Sequence, residues 1–120
     1  MIIDEILTIL KNDNTLDTLI DGIYHIASDG VCNCLVYNLE PLTSDRVVEQ
    51  NRLEITAINS DYITNMNVIK RVKELLLTEG DSALTQNILN VTLNGGGCLE
   101  NIATSTIHTK INFIIKNRGY

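Results

Sequence analysis

The sequence predicts an α+β fold: a mostly antiparallel β-sheet covered by one main amphipathic helix and an N-terminal helix. Three observations carry this. Between Arg46 and Ile58, Leu53, Ile55 and Ala57 alternate with Arg52, Glu54 and Thr56, the two-residue period of a strand with one wet face. Ser60 and Asp61 then offer helix caps, and Ile63, Met66, Ile69, Val72 and Leu76 follow at helical spacing. Strands on both sides of this single central helix make a sheet with helices on it, without the βαβ alternation of a parallel sheet.

Taken in order, Ile2–Leu10 reads as a helix, with Ile2, Ile3, Ile6, Leu7, Ile9 and Leu10 on a broad apolar face. Asp4 and Glu5 suit the positive end of its dipole. Asn12, Asp13 and Asn14 interrupt it, and Thr15–Ile20 resumes as a short helical turn. Ile23, Tyr24 and Ile26 suggest a short strand or extended arm. After the Ser28-Asp29-Gly30 turn signal, Val31–Glu40 forms a strand apolar on both faces, and Pro41 is expected to end it because it has no N–H to donate. Leu42–Asp45 then forms a loop, and Arg46–Ile58 returns antiparallel.

The main helix is expected over Tyr62–Leu77, with Gly80 as its stop. Ile88–Leu93 alternates as a strand, and Asn94-Gly95-Gly96-Gly97 reads as a turn or flexible loop. The last strand spans about Ala103–Ile115, with Ile107, Ile111, Phe113 and Ile115 on its apolar side. At ~40 Å it is long enough to need a bulge or bend. The element order is α-(α)-β-β-β-α-β-β.

A chain of 120 residues implies one domain, 1–120, with an aliphatic core, since aromatics make up 4% and there is no Trp. The net charge of −6 argues against binding nucleic acid through its phosphates. No segment approaches the ~20 apolar residues of a membrane span, and the acidic start MIIDEILTIL does not read as a signal peptide. The protein is expected to be made in the cytoplasm.

The three cysteines, Cys32, Cys34 and Cys98, lack zinc-site spacing and read as reduced, buried thiols. Gly95–Gly97 lacks the Lys-Ser/Thr of a phosphate loop. His108 falls on the wet face of its strand, His25 fits either face, and neither has ligand spacing. No nucleophile elbow, carboxylate pair or dinucleotide fingerprint is present. The expectation is a protein that is not an enzyme, with no catalytic residues, metal or cofactor.

An ordered set of short motifs, Gly22-Ile23-Tyr24, Leu35-Val36-Tyr37, Arg52-Leu53-Glu54-Ile55 and Ser60-Asp61-Tyr62, resembles the tail-terminator or tail-completion family of siphophages. The resemblance spans nearly the whole chain, with Val31-Cys32-Asn33-Cys34 departing from a segment that often carries proline in the family. It implies a structural protein of the virion tail or neck, assembled in the host cytoplasm as a hexameric ring. The ring would stop growth of the tail tube, contact the tube protein and the head-tail connector (stopper), and pass DNA without reading its sequence. Interface candidates on that reading are Arg46, Glu49 and Arg52 in the hairpin after Pro41, and Gly95, Gly96 and Gly97 in the glycine loop. Competing readings are a head-side connector or minor capsid protein, a small regulatory or ligand-binding domain, and a thiolate-metal protein.

Overall fold

In a computed structural model the described residues are 2–20, 22–25, 34–44, 48–78, 84–85, 87–101 and 106–118. Three helices, α1 (Ile2–Lys11), α2 (Asn14–Leu19) and α3 (Tyr62–Leu76), accompany five strands. The strands are β1 (Gly22–His25), β2 (Cys34–Ser44), β3 (Val48–Asn59), β4 (Ile88–Asn101) and β5 (Thr106–Arg118). They form one mixed sheet in the order β1-β2-β3-β5-β4. β1 runs parallel to β2, and the other pairings are antiparallel.

The period-2 pattern of β3 decides which face is buried. Leu53, Ile55 and Ala57 are buried, and across the ladder they meet Phe113, Ile111 and Thr109 of β5 and Leu39, Tyr37 and Leu35 of β2. Val68, Ile69, Val72 and Leu76 of α3, with Ile6, Leu10 and Leu16 of α1 and α2, join the same core cluster. Asp61 caps α3 by accepting from the Ile63 N–H at 3.2 Å and the Thr64 hydroxyl at 2.8 Å, which lowers its pKa. Asn59 supports the cap by accepting from the Asp61 N–H at 2.9 Å.

Asp13 joins two helices. Its carboxylate caps α2 by accepting from the Leu16 N–H at 2.8 Å. It also accepts from Arg71 of α3 through Nη2 at 2.6 Å and Nε at 2.9 Å. The Arg71 guanidinium, aided by the Leu16 N–H, brings the Asp13 pKa down from 3.8 to about 2, against the opposing effect of burial. Arg71 also donates to Glu74 at 3.0 Å.

Several expectations are corrected. Pro41 does not end β2, which runs on to Ser44 with a register shift between Pro41 and Thr43. Among the described residues β1 pairs no further than Tyr37 and no strand adjoins the outer side of β2 at Pro41, where a missing N–H is tolerated. Asn94–Gly97 is no turn. It lies inside β4, where Asn94 and Gly95 together oppose Asn112 between the pairs Leu93–Phe113 and Gly96–Ile111. This is a β-bulge, with Gly95 at a φ of +84°.

The bulge or bend expected in the last strand is met instead by register shifts in its partner β4, while β5 pairs with β3 without a register shift and extends to Arg118. Ile63 and Met66 are 63% and 41% exposed, and Asn65 and Val68 are buried in their place. The helical stripe is rotated because Asn65 points inward and donates to the Ile107 carbonyl at 2.7 Å. Cys34 is buried and disulfide-bonded, so the reduced-thiol expectation fails there; Cys32 and the side chain of Cys98 lie outside the described residues.

Because the folded pKa of Asp13 is depressed, its pairing stabilises the fold fully above the ordinary carboxylate pKa of 3.8 and loses that contribution as pH falls towards about 2. Asp13→Asn keeps a capping side chain but removes the charge. Thermal melts of this variant should show a shallower stability loss across that acid window than the native chain, and equal slopes would rule the pairing out. A Cβ at Gly96 would come within 2.3 Å of the Lys110 carbonyl oxygen, so Gly96→Ala should cost about 1–3 kcal/mol in urea unfolding.

Candidate assembly interface

The structure does not gather the interface candidates into one site. Arg46 lies outside the described residues. Glu49 and Arg52 are three positions apart on β3 and therefore point to opposite faces of the sheet. Glu49 sits on the helix-bearing side, where it receives an Asn117 amide N–H at 3.5 Å. Asn117, itself buried, accepts from Asn51 at 2.8 Å.

Arg52 sits on the helix-free face and belongs to a row of charges that crosses three strands. It donates to Glu40 on β2, which raises its pKa, and its Nε lies 3.6 Å from Glu54. Lys110 of β5 reaches Glu54 at 3.3 Å. Cross-strand pairing of Glu40 with Arg52 brings this row together, as opposite charges on neighbouring strands attract. Both cations of the row are thus engaged by carboxylates of their own chain.

Gly95, Gly96 and Gly97 lie exposed on the edge strand β4, about midway along it. Gly95 supplies the bulge and Gly96 permits close approach to β5, so two of the three have structural work inside the sheet. The bulges of β4 interrupt the free backbone of that edge strand, a known means of discouraging edge-to-edge pairing.

Two surface features did not emerge from the sequence reading. The first is an apolar patch on α3, where Tyr62, Ile63 and Met66 are 47%, 63% and 41% exposed. At 3.6 residues per turn these three, with Lys70 and Lys73, fall within an arc of about 100°. Tyr62 and Met66 lie about 180° and 140° round the helix from Arg71, the residue that faces α2. The signal was available in the helical phase: Ile63 lies about 120° from Ile69, too far round to share its buried stripe. The second is a cleft of ≈ 180 Å³ lined by Leu10, Lys11, Asp17, Ile20, Gly22 and Ile23, where α1, α2 and β1 meet. Among the described residues no group of three His, Cys, Asp or Glu side chains is placed to hold a metal ion. No helix of the described residues is long and apolar enough to cross a membrane.

No protein-family model and no curated protein matches the chain. Among solved structures it is similar to a chain of the virion of a native gene transfer agent (GTA) particle, with a TM-score of 0.71 and 12% identity. The likeness covers 95% of this chain and 92% of that chain, so the fold is shared from end to end.

The exposure of the α3 patch gives a stability contrast. Ile63→Ser and Met66→Ser should each change unfolding free energy by no more than about 0.5 kcal/mol, as surface substitutions do. Leu76→Ala, at a buried position, should cost about 2–5 kcal/mol by the same chemical denaturation.

Proposed function

We propose that this chain is a virion assembly protein that forms a ring at the head-proximal end of a phage tail tube, stops tube growth and joins the tail to the head connector. The observation that carries the reading is the end-to-end likeness of its fold to a chain of a GTA virion particle. The ordered motifs from Gly22-Ile23-Tyr24 to Ser60-Asp61-Tyr62 add to it. On this reading the work is recognition, with no bond made or broken. A closed ring needs one patch of each copy to meet a different patch of its neighbour, and the α3 patch and the α1–α2–β1 cleft are two such unlike surfaces. The helix-free sheet face, with Arg52 and Lys110 held by Glu40 and Glu54, suits contact with polar surroundings without a strong grip on phosphate.

Adding the purified protein to tail tubes that lack it, and imaging the tube ends by electron microscopy, tests the proposal. The expected result is a ring on one end of each tube and an end to tube elongation. Bare tubes beside folded protein would overturn it, and binding to portal assemblies in the same preparation would assign the chain to the head side of the joint.

A further inference from the structure

We infer that the Asn94–Gly95 step in the β4 bulge is a site of spontaneous covalent modification, at which Asn94 cyclises onto the Gly95 nitrogen and then opens to aspartate and isoaspartate. The reaction needs water and nothing else. The inference stands independently of the ring reading above.

Asparagine is among the chemically labile residues, and the residue that follows it governs how readily it reacts. Asn94 is the single asparagine of this sequence that precedes a glycine. Every other one precedes a residue whose Cβ crowds the peptide nitrogen. Gly95 has no Cβ, and its backbone turns more freely than that of any other residue. A Cβ built at Gly95 would meet nothing within 4 Å, so a five-membered ring and an attacking water both have room on that side.

A regular strand suppresses this chemistry, because a paired, extended backbone holds each nitrogen in the ladder. The bulge lifts that restraint. Asn94 and Gly95 have no ladder position of their own, since both fall between the pairs Leu93–Phe113 and Gly96–Ile111. Gly95 also departs from the extended conformation, with a φ of +84°. Both residues are exposed, on the strand at the edge of the sheet. Other asparagines are held differently. Asn51, Asn59, Asn65 and Asn117 are buried. Asn51 donates its amide to Asn117 at 2.8 Å and Asn65 donates to the Ile107 carbonyl at 2.7 Å, bonds that cyclisation would break.

Two steps complete the reaction. In the first, the Gly95 nitrogen gives up its proton and attacks Cγ of Asn94. The N–Cγ bond forms, the Cγ–Nδ2 bond breaks, and Nδ2 takes up a proton and leaves as ammonia. In the second, one water opens the resulting succinimide at either carbonyl. Breaking the N–Cγ bond gives aspartate. Breaking the bond from nitrogen to the former main-chain carbonyl gives isoaspartate, in which the main chain runs through Cβ. Nothing is oxidised or reduced. Either product places a new negative charge on the β4 edge, and isoaspartate also lengthens the main chain by one atom inside the bulge.

The test is peptide mapping by mass spectrometry of the folded protein after incubation, with an isoaspartate-specific methyltransferase to label that product. Asn94 should gain the mass of an amide-to-acid exchange about tenfold or more faster than any other asparagine. The rate should climb from mildly acidic to mildly alkaline buffer, because the attacking nitrogen must lose its proton. Asn94→Gln, whose ring would have six members, should keep its melting temperature and stay unmodified at that position over the same interval. An unmodified Asn94 in the native chain, or conversion no faster than that of the other asparagines, would overturn the inference. Conversion seen only after unfolding in urea would also overturn it, since the bulge would then protect the site as a regular strand does.

Discussion

The rest of the structure depends on the seam where α3 lies across β3 and β5. Val68, Ile69, Val72 and Leu76 meet a surface made of Leu53, Ile55, Ile111, Phe113 and Ile115, and all are buried in one cluster. Because side chains alternate along a strand, this seam leaves no freedom in register: a one-residue slip of β3 would drive Arg52 and Glu54 into the core. The same constraint delivers Arg52, Glu54 and Lys110 to the other face, where they pair across strands. A charged row on one side of the sheet and an aliphatic core on the other are thus two results of a single alternation.

The second support is Asp13. It ends one helix-to-helix connection by capping α2 and at the same time holds Arg71 of α3 in two-point contact. A fixed carboxylate accepts a guanidinium in this geometry better than it would a point charge. The two N-terminal helices are thereby tied to the side of α3 that faces them. On the opposite flank Tyr62 and Met66 are 47% and 41% exposed.

Much of the fold was legible in the residues. The period-2 run of β3, the span of α3 with its Asp61 cap, the N-terminal helix and the order of elements all agree with the structure, because each rests on a local pattern repeated over many residues. The misreadings cluster where one residue was asked to decide an element. Pro41 was read as a stop, but a proline is harmless on the side of a strand that needs no ladder donor, and among the described residues β1 pairs no further than Tyr37. Gly95–Gly97 was read as a turn, but glycine serves a bulge or a close backbone approach equally well, and the choice depends on β5. The interface residues were chosen for charge and flexibility. Charge did not mark Arg52 as free, because the carboxylates that engage it come from Glu40 on the neighbouring strand and Glu54 two positions away.

By itself the sequence determined the α+β class, the helix and strand identities and the buried face of β3, since these arise from propensity, capping and hydrophobic period within a few residues of one another. Tertiary structure alone decided the parallel placement of β1, the bulges of β4, the Asp13–Arg71 pairing and the exposure of Tyr62 and Met66. Each of these is a relation between residues far apart in the chain: a strand edge is open, a carboxylate is paired or an apolar flank is bare only with respect to what else the folded chain brings beside it.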